Sequence, residues 1–349
     1  MSEPSTGERG QGVLATPATV GDQAVIETAC DTGDPGSAIG GRAVRVGDRV
    51  FSGLSRGASV LLLLVIAGIA AFLFSRTIPA IQADKANFLT EQSWFPDTDG
   101  VFGIAALAWG TVLSSAVALL LAIPVAIGIA LFIAHYAPRR LASGLGYLVD
   151  LLAAVPSVIY GLWGLTFLVP QMVGLTRFLA EHLAWIPLFA TPDSQAYRQT
   201  MFNAAVVLAV MVLPIITAVS REVFLQVPRA HLEAALALGA TRWEMVRMAV
   251  LPFGRSGVIS ASMLGLGRAL GETVAVALVL STTYKISLHI LQPGGNTFAA
   301  NIALQYSYAQ STGIDALIAS GMVLFVITLL VNMAARWIIA RRAEFSGAR

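Results

Sequence analysis

The chain has 349 residues, of which 56% are hydrophobic and only 12% charged. An ordinary soluble domain carries about 25% charged residues, so this composition cannot clothe a water-facing surface of normal extent. The net charge of +2 gives no case for a nucleic-acid partner, and one cysteine, Cys30, excludes an intramolecular disulfide framework.

The first segment, Met1 to about Asp48, is rich in Gly, Ser, Thr, Ala, Asp and Glu and has no sustained apolar period. It buries too little to offset its ordering entropy and is expected to be a disordered cytoplasmic tail. The first long apolar run begins nearly sixty residues in, too late for a signal peptide, and should remain as an anchor. A crossing helix needs about 20 apolar residues. Six stretches qualify: about Ala58 to Ser75, Ile104 to Ala134, Gly146 to Val169, Met201 to Val219, Gly257 to Ser281, and Ala316 to Ala340. The second is long enough to require tilt or a kink near Pro124, and the third contains Pro156. Since lipid-exposed backbone must pair internally, the expected fold is an all-α integral membrane bundle of six spans. Its expected organisation is a tail over 1–48, a six-span domain over 49–342 with an inner loop over 220–256, and a short cytoplasmic tail over 343–349.

Lys and Arg in short loops set orientation. With the N-terminus inside, sixteen of the 22 Lys and Arg fall on the cytoplasmic side, among them Arg42, Arg45, Arg49, Arg139, Arg140, Arg221, Arg229 and Arg341. Arg76, Lys85, Arg177, Arg198 and Lys285 fall outside, and Arg268 sits within the fifth span. Both termini are expected in the cytoplasm of a multi-pass plasma-membrane protein.

The inner loop carries the sharpest local signals. Pro228 suits the start of a helix through Leu238, and Gly239 suits its end. Thr241-Arg242-Trp243-Glu244 fits a capping box that opens a second short helix, expected to end before Leu251-Pro252. Two such helices flat under the membrane would present a knob to a cytoplasmic partner by helix-in-groove docking. Farther on, Arg268 and Glu272 lie four residues apart, which would place them on one face of a continuous helix. A mid-membrane Arg costs at least ~2.5–3.5 kcal/mol and usually marks a pathway; packing as a self-compensating pair is the other reading. Gly267 and Gly271 form a small-x-x-x-small pair, read as helix packing. Asp150, near the inner end of the third span, reads as a structural cap or inner gate, since an acid repels an anion.

The run Glu233-Ala234-Ala235, Gly239 and Ala249-Val250-Leu251-Pro252 resembles the EAA loop of ABC importer permeases, E-A-A-x3-G-x9-I-x-L-P, and departs from it only at Ala249. The resemblance implies that Glu233, Ala234, Ala235, Gly239, Leu251 and Pro252 couple the chain to an ATP-binding subunit. Two further segments, Arg268-Ala269-Leu270-Gly271-Glu272-Thr273 and Ala153-Ala154-Val155-Pro156-Ser157-Val158-Ile159-Tyr160-Gly161-Leu162-Trp163-Gly164, look like those of the phosphate-specific permeases, the second like their C-type subunit. The resemblance covers about Gly53 to Arg342. It implies a heterodimer with an A-type permease, two ATP-binding subunits, an extracytoplasmic phosphate-binding protein, and a phosphate pathway that includes Arg268 and Glu272. No cofactor and no metal are expected.

Neither Lys85 nor Lys285 stands in the Gly-Lys-Ser/Thr setting of a phosphate loop, so ATP would be hydrolysed by a separate subunit. Gly53-Leu54-Ser55-Arg56-Gly57 fits a nucleophile-elbow pattern but lacks its strand and any neighbouring His. A permease for another oxyanion, sulfate or molybdate, would also use a buried Arg. A proton-coupled carrier relaying through Glu272 is the alternative from a different class, although no internal repeat is visible.

Overall fold

A computed structural model describes residues 46–190 and 197–345. The expected tail lies outside the described residues as far as Arg45, and Cys30 with it. The chain divides into two compact units, one ending at Leu63 and the other starting at Leu64. In the first, the described residues are helical from Val46 onward, with Phe51, Leu54 and Leu61 to Leu63 exposed.

The second unit is a helical bundle. The elements in chain order are α1 (Val46–Ala83), a small hairpin of β1 (Trp94–Phe95) and β2 (Val101–Phe102), α2 (Ala105–Leu131), α3 (Arg139–Ala153), α4 (Ser157–Trp163), α5 (Val169–His182) and α6 (Met201–Leu225). There follow α7 (Arg229–Ala237), α8 (Arg242–Met245), α9 (Leu251–Leu270), α10 (Val274–Val279), α11 (Phe298–Gln305) and α12 (Ser311–Phe345). Among the described residues, six helical stretches are long and apolar enough to cross a membrane: Val50–Ala83, Ala105–Tyr136, Ser157–His182, Met201–Leu225, Arg242–Leu270 and Ser311–Trp337.

The core forms where α2 meets α6. Ala118, Ala122, Ala126 and Ala130 recur every fourth residue along α2 and are all buried. Such a stripe of small side chains lets a second helix approach closely. From α6, Val207, Leu208, Val212 and Ile216 fill that approach and are buried too. Pro124 is accommodated inside α2, and the span runs on through a widened turn at Phe132–Tyr136.

Three expectations are corrected. The third span starts at Ser157 rather than near Gly146, because Pro156 adopts an extended conformation (φ −58°, ψ 139°) at the head of α4. Proline lacks an N–H and disfavours helix in the residue before it, so it separates α3 from the span. The fifth span is broken rather than continuous to Ser281: α9 ends at Leu270, and α10 begins afresh at Val274. The second short helix of the inner loop does not end before Leu251-Pro252, since a widened turn at Val246–Val250 carries α8 into α9. Pro252, which lacks an N–H, stands directly after this widened turn, where the helical hydrogen-bond register shifts. In addition, α12 extends to Phe345, into the expected C-terminal tail.

On the opposite side from the inner loop, the hairpin and the start of α12 are tied together. The Asp97 carboxylate accepts from the Gln310 N–H at 2.9 Å and from the Gly313 N–H at 2.7 Å. Trp94 stacks on Tyr284, whose hydroxyl donates to Asn301 Oδ1 at 2.7 Å. Burial raises the Tyr284 phenol above its ordinary pKa.

Candidate functional site

Arg268 occupies the last turn of α9, two residues before the helix stops. Its Nε is buried without a hydrogen-bond partner, and among the described residues it forms no ion pair with a carboxylate. The expectation that Arg268 and Glu272 share a continuous helical face does not survive the break. Glu272 lies in the irregular segment between α9 and α10, is buried, and accepts from the Ala275 N–H through Oε1 at 3.1 Å. It thereby satisfies one of the orphan donors at the start of α10. Arg268 is left with an unneutralised guanidinium.

Gly271 is part of this change. It follows the final residue of α9, the position where glycine commonly ends a helix. A side chain at Gly267 would meet open space, and one at Gly271 would touch only the Gly267 carbonyl of its own helix. The pair therefore packs no other helix within the described residues, contrary to the packing expectation.

The position of α10 is set by α4. A β-carbon at Gly161 would collide with the Cα of Ala275, and one at Gly164 would collide with Val207 of α6. The Pro156 to Gly164 segment thus lets α10 lie directly against α4, which fixes the break that contains Glu272.

Arg268 opens on a cavity of about 580 Å³. Ser260 and Gly267 of α9 line it, with Asn332 and Arg336 of α12, and Ile215, Met263 and Leu264 supply an apolar wall. Two arginines and two neutral hydrogen-bonding side chains around one such space suit an anion: the guanidinium groups supply charge and forked donors, and Ser260 and Asn332 supply uncharged ones.

In the inner loop, α7 runs to Ala237 and closes with Gly239 at φ +82°. The Gly239 N–H donates to Leu236 O and the Ala240 N–H to Ala235 O, the paired bonds of a glycine-terminated helix. The Thr241 hydroxyl accepts from the Glu244 N–H, and Glu244 Oε2 accepts from the Thr241 N–H at 2.8 Å, completing the expected capping box. Glu233, Ala234 and Gly239 are exposed, as are Leu238, Trp243 and Met248. Ala235 and Leu251 turn partly inward onto a cluster of Phe224, Met245, Val246 and Val250, and Pro252 remains exposed. The loop is therefore divided between a packed side and a free apolar side.

A family model described as the binding-protein-dependent transport system inner membrane component matches residues 122–344. The chain belongs to this family. A Mycobacterium tuberculosis relative, phosphate transport system permease protein PstC 2, is 50% identical over 86% of this chain and 94% of its own length. A Mesorhizobium japonicum relative, phosphate transport system permease protein PstC, is 38% identical over 86% of this chain and 92% of its own. Among solved structures, one of a bacterial ABC transporter involved in alginate import matches with a TM-score of 0.50 at 20% identity, covering 84% of this chain and 99% of that one. That likeness concerns the fold alone.

Some polar features of this permease do not stand out in the sequence. Asn332 and Arg336, four apart on the last span, are legible as a polar pair at helical spacing, but Arg336 reads there only as loop-side charge. Asp150 reads without its partner: Arg221 Nη2 lies 3.5 Å from Asp150 Oδ2 and 2.6 Å from Glu222 Oε1. A side chain at Gly146 would strike the Arg221 guanidinium, so this glycine gives the arginine its berth against α3.

Proposed function

We propose that this permease is a transmembrane subunit of an ATP-driven importer and passes inorganic phosphate inward from an extracytoplasmic binding protein. The observation that carries the reading is the half-buried Arg268, its Nε buried without a partner and no carboxylate paired with it among the described residues, facing a cavity that also holds Arg336, Ser260 and Asn332. A fixed positive charge in such a place is costly unless an anion uses it. The phosphate-transport names of relatives up to 50% identical over nearly their whole length support the choice of anion. Arg268 would contact the anion, and Glu272 would act one step back by holding the start of α10.

The partners follow from the same reading: a second, A-type permease subunit completing a heterodimer, and two ATP-binding subunits that hydrolyse ATP. One of these would dock on the loop bearing Glu233, Ala234, Ala235, Gly239, Leu251 and Pro252, whose exposed Leu238 and Trp243 offer the apolar contacts. The excess of Lys and Arg on the loop side supports a cytoplasmic position for that loop and for both termini.

The test is uptake of labelled phosphate by cells lacking this chain, with and without its restoration, under excess unlabelled sulfate. Restored uptake that ignores sulfate is expected. Sulfate-sensitive uptake, or none from an assembled complex, would move the substrate to another oxyanion. Uptake that survives inactivation of the ATP-binding subunit and collapses with an uncoupler would replace the importer with a proton-coupled carrier.

A further inference from the structure

We infer that Arg336, with Asn332, forms a second anion-binding station on the last span, facing Arg268 across the same cavity and receiving the anion after it. The inference rests on the reading of this chain as an anion permease.

Both arginines line one cavity, although they lie on different spans, each toward the C-terminal end of its helix. Side chains on a helix lean toward its N-terminus. Consecutive spans run in opposite directions, so Arg268, near the end of α9, leans back along α9 toward the cytoplasmic loop. Arg336, near the far end of α12, leans away from that loop. The two guanidinium groups therefore converge along the membrane normal. The polar lining continues between them: Ser260 lies eight residues before Arg268, about 12 Å along α9, and Asn332 one turn before Arg336. Arg336 forms no ion pair with a carboxylate among the described residues. Gly267 keeps the space open, since a side chain there would meet nothing within contact distance. Conduction requires sites weak and numerous enough for the ion to leave as well as enter. A second arginine nearer the cytoplasm supplies such a step for an anion released by Arg268.

The shared chemistry is a tetrahedral phosphate group, and two sources offer it: free inorganic phosphate and the headgroup of an anionic lipid. The assignment here is to the transported anion. A bland role for Arg336, as a positive anchor at the membrane surface, would affect how much complex inserts but not the rate per inserted complex.

The experiment uses the complete complex in proteoliposomes, with phosphate uptake normalised to inserted complex and binding-protein-stimulated ATP hydrolysis measured in parallel. In Arg336→Gln the maximal uptake rate should fall about tenfold or more, the scale of one lost charge-assisted hydrogen bond, while ATP hydrolysis persists. Arg336→Lys should recover part of the rate, because it restores charge without the fork. Gly267→Met, whose β-carbon meets no neighbour and whose side chain would enter the cavity, should also slow uptake. A direct arm replaces Leu264 of the cavity wall with Cys in a Cys30→Ser background, in phosphate-free maltoside detergent. Inorganic phosphate should slow its modification by an anionic thiol reagent, and Arg336→Gln should remove that protection. Wild-type rates per complex in Arg336→Gln would overturn the inference. So would modification that inorganic phosphate does not slow, or that only phosphatidylglycerol slows. Absence of phosphate uptake by the wild-type complex would instead overturn the substrate reading on which it rests.

Discussion

The Glu272 carboxylate accepts the Ala275 N–H at 3.1 Å, and this bond opens α10 instead of neutralising Arg268. Charge and backbone are thus assigned separately in the fifth span. The acid is spent on a helix start, and the guanidinium is left to face the cavity.

That division makes a measurable difference between two substitutions. Glu272→Gln keeps an oxygen for the Ala275 N–H, whereas Glu272→Ala removes it at a cost of about 0.5–2 kcal/mol. Thermal stability of the purified complex should fall in the alanine variant and stay near wild type in the glutamine variant, with uptake following the same order. Equal loss of uptake in both, at unchanged stability, would show that the negative charge is what transport requires.

Arg268→Ala should abolish uptake while the complex still assembles, since among the described residues the guanidinium is not part of an ion pair that holds helices together. Co-purification of the subunits and phosphate uptake are the two readouts. Normal uptake would return Arg268 to a packing role.

Gly161→Ala should push α10 away from α4, because the added methyl group meets the Cα of Ala275, which cannot rotate aside. Overpacking of this kind costs about 1–3 kcal/mol. A lowered unfolding temperature together with reduced uptake is expected. Unchanged values for both would mean that α10 shifts freely.

Gly239→Asp and Glu233→Lys should uncouple the ATP-binding subunit, by different routes. The first strains a residue held at φ +82° and disturbs the closure of α7; the second reverses an exposed charge on α7. Loss of co-purification, or of stimulated hydrolysis, would be seen in each. A fully stimulated complex from both would displace the docking surface from this loop.

Asp97→Ala removes acceptors for the Gln310 and Gly313 N–H groups and should destabilise the start of α12 by about 1 kcal/mol. Faster proteolysis near Gln310 would report it.

Composition and apolar run length were enough to read six spans and their class, because hydrocarbon thickness imposes a length that few other structures share. The caps were legible as well: Thr241 and Glu244, and Gly239, carry their geometry in their residue types. What escaped was where an apolar run changes direction. Hydropathy averages over Pro156 and over Gly271-Glu272-Thr273, since the residues on both sides remain apolar. Gly271 carried two meanings, helix end and close packing, and only the end of α9 at Leu270 and the lack of a neighbouring helix among the described residues decide between them. The widened turn at Val246–Val250 escaped for another reason: it alters which carbonyl each N–H reaches without altering the pattern of side chains.

That turn makes Arg242 to Leu270 one continuous helical run of 29 residues. Its lower end begins at the capped Thr241, just past the left-handed Gly239, and its upper end carries Arg268 about 39 Å away at 1.5 Å per residue. Motion imposed at Trp243 is expected to reach Arg268 along this one helical run, since no break in the helix separates the two residues.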